Sequence, residues 1–90
     1  MKPRREQVEY LVEVTRIEAA FIEECLECGA VELKGSDPGS VEITPSHLAK
    51  LRRLQRICRD LDVDILAGSI IVDLLDRVDE MERELKWRRR

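Results

Sequence analysis

Three cysteines and one histidine are the side chains of this 90-residue sequence that could bind a metal ion or carry thiol chemistry. Cys25 and Cys28 form a Cys-x-x-Cys pair, with Cys58 and His47 as further candidate ligands. A structural zinc site needs four ligands, and an odd number of cysteines in a short chain argues against a disulfide framework. Phe21, Cys25 and Cys28 also follow the i, i+4, i+7 spacing of a buried helix stripe, and cysteine packs well as a small hydrophobe. We therefore expect core packing, with a thiol or metal sensor as an alternative hypothesis.

The sequence contains no arrangement of residues typical of an active site. His47 is the only histidine, and no serine or aspartate motif is spaced to pair with it. Gly35 and Gly39 lie in a stretch of turn formers rather than in a glycine-rich phosphate-binding motif. The many acidic residues fall on helix faces that we expect to be solvated. The sequence therefore predicts a non-enzymatic protein with no catalytic residues, no cofactor and no bound metal.

Acidic residues dominate the segment 16–33, which has the pattern of the turn and second helix of a helix-turn-helix. A DNA-reading helix normally offers Arg, Lys, Asn or Gln to phosphates and base edges. This helix instead offers four glutamates, and we predict that they form a partner-binding surface: Glu18, Glu23, Glu24 and Glu27. Such a face repels a duplex and attracts a basic protein surface. The alternative is that these glutamates are only a solvated helix face.

The charges of the chain are arranged in blocks, although the net charge is only −3. Residues 6–42 carry ten acidic residues against two basic ones, a net charge of −8. Residues 43–60 have a net charge of +4, residues 61–85 of −6, and residues 86–90 of +4. Blocks of this kind indicate distinct charged faces rather than a uniform surface.

The length and hydropathy of the sequence indicate one small domain whose stability depends in part on oligomerisation. No apolar run approaches the roughly 20 residues that a membrane-spanning helix needs. The first ten residues are basic but lack the apolar stretch of a secretory signal. We therefore expect a cytoplasmic protein.

The spacing of apolar residues predicts three helices in a first domain over residues 1–64. These helices run over about 5–14, 18–28 and 45–60, and the first two form the helix-turn-helix. Between the second and third helix, residues 31–43 alternate in hydropathy around a cluster of turn formers, which predicts a small β-hairpin wing. The predicted fold is therefore mainly α, with a winged helix-turn-helix.

A terminal helix is predicted from about Ile65 to Lys86, within a dimerisation segment and basic tail over residues 65–90 that packs with the first domain as one compact unit. Its apolar residues step by three and four like a heptad seam: Ile71, Leu74, Val78, Met81 and Leu85. We expect a homodimer through this seam, because a monomer of this size would leave a long helix poorly covered. The alternative is that the seam packs on the domain's own helices.

The third helix carries a row of four arginines that are the candidate nucleic-acid contacts: Arg52, Arg53, Arg56 and Arg59. They support an alternative function, a DNA-binding transcriptional repressor. Phosphate contacts position a protein and base contacts specify the sequence, and the acidic second helix offers no base-reading cations. A third interpretation is that these arginines pair with acidic residues of the terminal helix.

The order of these elements resembles that of MerR-like proteins, and residues 48–85 resemble the CbpM-type chaperone modulators of that superfamily. The family patterns are L-R-R-I, L-G-V-N-L and D-L-L-D-R followed by an apolar residue. The matching segments here are Leu51-Arg52-Arg53-Leu54, Leu61-Asp62-Val63-Asp64-Ile65 and Asp73-Leu74-Leu75-Asp76-Arg77-Val78. Asp62 replaces the family's glycine, while Arg16 and Glu18 replace a small residue and a Ser or Thr at the helix-turn-helix turn.

This resemblance implies a function as well as a fold. CbpM-type modulators bind the J-domain of a DnaJ-like co-chaperone and restrain it, and J-domains present a basic helix. The acidic segment is suited to such a partner, since complementary charge sets encounter rate and specificity. We expect apolar contact as well, near Ile22 or Leu26.

Overall fold

Four α-helices make up the computed structural model of the chain, which describes residues 5–33 and 43–89. The helices are α1 (Arg5–Thr15), α2 (Ala19–Glu27), α3 (Pro45–Leu61) and α4 (Ile65–Arg88). The mainly α architecture is confirmed. None of the helices in the described ranges is both long and apolar enough to cross a bilayer.

The turn between α1 and α2 is held by the hydroxyl of Thr15. This buried group donates to the carbonyl of Leu11 at 2.6 Å and accepts from the amide of Ile17 at 3.2 Å. Arg16 lies between them with a φ of 63°, in the left-handed region that most side chains avoid. The turn therefore reverses the chain without a small residue, because the Thr15 hydroxyl and the buried Ile17 side chain fix its two ends.

Helix α2 ends at Glu27, and Gly29, which follows the C-cap Cys28, has a φ of 80°, the left-handed conformation expected after a helix. The chain then folds back, so that the amide of Val31 donates to the carbonyl of Cys25 at 3.2 Å. Ala30 and Val31 are buried in the core. The residues after α2 are thus attached to the end of that helix.

The predicted β-hairpin wing over 31–43 is wrong. Residues 31–33 and 43 are not strands, and residues 34–42 lie outside the described part of the chain. The alternation of Val31 and Leu33 has another cause. Val31 is buried in the core and its amide is bonded to the end of α2, while Leu33 packs against that core, so the period of two reflects core packing rather than a strand ladder.

Helix α3 begins with a capping box. The Thr44 hydroxyl accepts from the amide of His47 at 3.3 Å, and Nδ1 of His47 accepts from the amide of Thr44 at 3.0 Å. This reciprocal pair satisfies two backbone donors that a helix start leaves without partners. His47 is therefore a structural residue at the start of α3.

Helices α3 and α4 are joined by a tight turn at Asp62, which lies in the left-handed region with a φ of 53°. This is the position at which the resembling family has glycine, the residue that adopts this conformation without strain. Asp64 then caps α4, because its carboxylate accepts from the amide of Ala67 at 2.8 Å.

The core lies where α1, α2, α3 and the first half of α4 meet. Its completely buried members come from three helices: Leu11, Ile22, Cys25, Leu51 and Leu54. On α4, Ile65, Gly68 and Val72 face this core, whereas every residue from Asp73 onward in the described part of the helix is exposed. The second half of α4 therefore extends beyond the body of the domain.

Gly68 allows α4 to lie directly against α3. A methyl group at this position would meet Sγ of Cys58 at 2.5 Å and Cδ1 of Leu54 at 3.2 Å. Three ion pairs cross the same interface, from Lys50 to Asp73 at 3.7 Å, and from Arg53 to Asp76 at 2.8 Å and to Asp79 at 3.8 Å. The direction in which α4 leaves the domain is fixed by these contacts.

Candidate partner-binding surface

The exposed face of α2 is acidic, and its opposite face is buried. Glu23, Glu24 and Glu27 lie on the solvent side, while Ile22 and Cys25 are completely buried. The helical period of 3.6 residues places these three glutamates on one face together with Ala19 and Ala20, which are also exposed. This acidic face of α2 therefore combines carboxylates with small side chains that allow a partner to approach closely.

Glu18 stands at the N-cap of α2, next to this face. Its backbone is extended, with φ −60° and ψ 141°, and its side chain makes no capping hydrogen bond. The exposed carboxylate is therefore directed to solvent rather than used within the helix. Among residues 5–33 and 43–89, no lysine or arginine forms an ion pair with Glu18, Glu23, Glu24 or Glu27.

Helix α1 adds a second acidic stripe that the sequence reasoning did not single out. Glu6, Glu9 and Glu13 are exposed along one side of this helix, and Glu9 pairs with Arg5 at 3.3 Å. Beside the stripe lie Tyr10 and Val14, which are the exposed apolar side chains of α1. Tyr10 and Val14 are four residues apart, and residues at that spacing lie on the same face of a helix, so the sequence did contain a signal for this surface.

The expected apolar contacts on α2 change in the structure. Ile22 is completely buried and cannot contact a partner, whereas Leu26 is half-buried and packs against the core. Exposed apolar surface is instead offered by Tyr10 and Val14, beside the acidic stripe of α1.

The four arginines of α3 are used in different ways. Arg52 donates to the carbonyl of Val14 at 3.3 Å and so caps the C-terminal end of α1. Arg53 bridges to Asp76 and Asp79 of α4. Arg56 and Arg59, which the third interpretation also paired with the terminal helix, form no ion pair with it among the described residues. Arg56 and Arg59 are exposed, and Arg59 pairs only with its neighbour Asp60 among the described residues. Two of the four cations are therefore committed to the fold.

The predicted dimerisation residues of α4 are mostly exposed. Leu74, Val78, Met81 and Leu85 face solvent, whereas Ile71 is half-buried. The structure adds Leu66 and Ile70, each 62% exposed, at the start of the same helix. The apolar face of α4 is defined by six exposed residues: Leu66, Ile70, Leu74, Val78, Met81 and Leu85. This face begins nearer the start of the helix than the predicted seam does, and there it lies on a different side of the helix.

The cysteines do not form a common site. Cys25 is completely buried, Cys58 is half-buried and Cys28 is exposed, so the predicted stripe is wrong for its last member. Burial, with smaller contributions from the neighbouring Cys28, Cys58 and Glu24, raises the pKa of the Cys25 thiol to about 12. In residues 5–33 and 43–89, no three His, Cys, Asp or Glu side chains are placed to hold a metal ion.

Comparison with known protein families places nearly the whole chain in one of them. Residues 7–90 match the family described as MerR HTH family regulatory protein. No curated protein and no solved structure matches the chain.

Proposed function

The chain belongs to the MerR helix-turn-helix regulatory family, and from this premise we propose that it is a non-enzymatic modulator that binds the basic J-domain of a DnaJ-like co-chaperone and restrains it. The observation that carries the proposal is the acidic face of α2. A helix in the position of the DNA-reading helix presents carboxylates that no cation of the described chain neutralises.

The charge of this face favours a basic protein over a nucleic acid. DNA binding depends on cations that replace the counterions of the phosphates. Glu23, Glu24 and Glu27 would instead be driven away from phosphates and toward a helix rich in lysine and arginine. Because α2 carries no lysine or arginine, the position that reads bases in related folds has no group suited to that task.

The apolar part of the contact is provided by exposed side chains of α2 and α1. Ala19 and Ala20 lie on the acidic face of α2, and Tyr10 and Val14 are exposed on α1. Tyrosine supplies a large contact area together with a polar group, which is why it is frequent at protein interfaces. Charge therefore directs the encounter, and these side chains add affinity.

The decisive experiment reverses three charges on α2. We expect the variant Glu23→Lys, Glu24→Lys, Glu27→Lys to bind a J-domain about 2–3 kcal/mol more weakly, or roughly 30- to 150-fold, because three favourable pairs become repulsive. Isothermal titration calorimetry at low ionic strength measures the loss, and the difference should shrink in high salt, where exposed charges are screened.

The matched control is the variant Glu80→Lys, Glu82→Lys, Glu84→Lys, which makes the same change of net charge on the exposed end of α4. It should bind the J-domain within a few-fold of the wild type. If the α2 variant binds as well as the wild type, or if both variants lose affinity equally, the acidic face of α2 is not the binding surface.

Dimerisation through the apolar face of α4 is the second part of the proposal. Six large apolar side chains on one helix form a continuous exposed patch of the kind that marks an interaction site. Substitution of Leu74 by Glu should convert a dimer to a monomer in analytical ultracentrifugation, because it places a charge at the centre of the patch. A wild-type chain that sediments as a monomer at all concentrations would refute this part.

A DNA-binding repressor remains the alternative, and the exposed arginines of α3 favour it. Arg56 and Arg59 face solvent and could contact phosphates. A mobility-shift titration at several salt concentrations separates the two functions: tight, sequence-selective binding supports a repressor, and weak binding that disappears with salt supports the modulator.

A further inference from the structure

The last turn of α4 presents an exposed tryptophan between cations. The basic end of α4 consists of four exposed residues: Lys86, Trp87, Arg88 and Arg89. Trp87 is 76% exposed, more than any other large apolar side chain of the described residues. Lys86, Arg88 and Arg89 form no ion pair with any residue of 5–33 or 43–89. Because tryptophan and arginine are enriched where proteins contact each other, this end has the composition of an interaction surface.

The basic end of α4 lies beyond the part of the helix that packs on the domain. Asp79 is the last residue of α4 that pairs with α3 in the described part of the chain. Arg88 is nine residues further along the helix, a distance of about 14 Å at 1.5 Å per residue. Every residue between the two is exposed. The basic end of α4 is therefore accessible to a second molecule.

The acidic face of α2 is a complementary surface that the same protein carries. Its carboxylates are exposed and form no ion pair among the described residues: Glu18, Glu23, Glu24 and Glu27. Ala19 and Ala20 beside them are exposed and small, so a large ring such as that of Trp87 can approach the helix closely. Three unpaired cations on one surface and four unpaired carboxylates on the other attract each other and set the orientation of the contact.

We propose that the basic end of α4 of one copy docks on the acidic face of α2 of another copy. This docking rests on the proposed function and adds regulation to it, because the docked end occupies the surface assigned to the J-domain. Both ligands of the acidic face are helices that carry cations, so the charges that attract one also attract the other. The apparent affinity for the J-domain is then reduced by the fraction of chains whose acidic face is occupied, and this fraction rises with protein concentration.

Nuclear magnetic resonance tests the contact directly, because Trp87 is the only tryptophan and gives a single indole N–H signal. A nitroxide spin label is attached to Cys28, which is exposed next to Glu27, in a chain whose Cys58 is replaced by serine. This chain is mixed with an isotope-labelled copy that carries no spin label. We expect the Trp87 signal of the isotope-labelled copy to broaden, and to sharpen again in high salt, where exposed charges are screened.

Two control chains locate the contact on α2. Ser46 is exposed at the start of α3, and a spin label on Ser46→Cys, in a chain without Cys28 and Cys58, should leave the Trp87 signal sharp. The triple glutamate-to-lysine variant of α2 described above, spin-labelled at Cys28, should also leave the signal sharp, because its face repels the cations of the other copy.

Binding of a J-domain tests the competition. At a protein concentration that gives near-maximal broadening, we expect Arg88→Glu, Arg89→Glu to bind the J-domain about 3- to 10-fold more tightly than the wild type, because two attractive pairs with α2 become repulsive. The matched control Arg77→Glu, Arg83→Glu makes the same change of net charge on exposed residues of the same helix. Its affinity should stay within about twofold of the wild type. Excess J-domain added to the mixed sample should sharpen the Trp87 signal.

Failure of this docking is distinguishable from failure of the proposed function. A Trp87 signal that ignores the labelled copy overturns the docking while the modulator function stands, and a shift with phosphatidylglycerol vesicles or duplex DNA then assigns the basic end to that partner. Broadening that excess J-domain does not relieve, or equal gains in affinity for the two arginine variants, overturn the competition. Broadening that depends on the α2 glutamates in a chain that binds no J-domain overturns the modulator function and leaves the contact between α4 and α2.

Discussion

Helices α3 and α4 approach each other closely at Gly68. Whether the substitution Gly68→Ala stabilises or destabilises the protein therefore depends on a single neighbouring atom. In an exposed helix, replacing glycine by alanine stabilises the fold by about 1 kcal/mol, because alanine has the higher helix propensity. At Gly68 the new methyl group would lie 2.5 Å from Sγ of Cys58 and 3.2 Å from Cδ1 of Leu54. Leu54 is completely buried and has little freedom to move. Overpacking of this kind costs typically about 1–3 kcal/mol. We expect Gly68→Ala to destabilise the protein by about 1–2 kcal/mol after the propensity gain is subtracted.

Removal of the Cys58 sulfur should reverse the destabilisation caused by Gly68→Ala. In a Cys58→Ala chain, the nearest remaining atoms are Cδ1 of Leu54 at 3.2 Å and Cβ of residue 58 at 4.0 Å. Gly68→Ala in that background should be neutral or stabilising by up to about 1 kcal/mol, so the two sites should be coupled by about 2 kcal/mol. Urea unfolding followed by circular dichroism measures all four chains, at one protein concentration because dimerisation would add to the apparent stability.

The control for this cycle is Ser69→Ala, the neighbouring position on α4, which is half-buried rather than packed on Cys58. It should change stability by less than about 1 kcal/mol. The reasoning is refuted if Gly68→Ala is as stable as the wild type, or if Cys58→Ala fails to restore the loss. The first result would mean that α4 lies farther from α3 than the structure shows, and the second that Sγ of Cys58 is not the atom that crowds the new methyl group.

Four further predictions concern the turns and the thiols. Thr15→Val should destabilise the protein by about 1–3 kcal/mol in urea unfolding, because the buried amide of Ile17 loses its acceptor, while Thr15→Ser should recover most of the loss. Asp62→Gly should raise stability by about 0.5–1 kcal/mol, since glycine relieves the left-handed backbone, and a fall in the melting temperature would contradict this. Iodoacetamide at pH 8 should alkylate Cys28 first and Cys25 last, as followed by mass spectrometry, because Cys25 is buried and its pKa is raised to about 12. Since the folded pKa of Cys25 is raised above its ordinary value of 9.0, its contribution to stability is present below pH 9 and is lost as the pH rises toward 12; equal stability at pH 8 and pH 11 would contradict the raised pKa.

The helices and their ends could be read from the sequence because their signals are local. A period of 3.6 in the apolar residues marks a helix wherever one face is buried. Thr44 and Pro45 start α3, Asp64 caps α4 and Gly29 ends α2, each at the position where its side chain or backbone freedom is needed. The MerR-like assignment, made from the order of elements and three short motifs, is confirmed by the family match over residues 7–90.

The acidic face of α2 was also accessible from the sequence, although its role was not. Three glutamates in a short helix that has no lysine or arginine, with a fourth at its N-cap, make an acidic face in any packing that buries Ile22 and Cys25. Whether that face binds a J-domain depends on the partner, and the J-domain proposal therefore rests on charge and on the resemblance. The wing was mispredicted because alternating apolar residues arise both in strands and in an extended segment that packs on a core.

The sequence by itself determined where the four helices lie, which family the chain belongs to, and that α4 carries more apolar residues than one buried face needs. Only the tertiary structure decided which of those residues are covered. Around Leu66, Ile70 and Ile71 the helix is apolar on several sides, so spacing alone could not show which side faces α3. Packing of Ile65, Gly68 and Val72 against α3 settled the rotation of the helix, because at Gly68 any side chain would crowd Sγ of Cys58. That rotation half-buries Ile71 and leaves Leu66 and Ile70 exposed as part of the face available to a second copy.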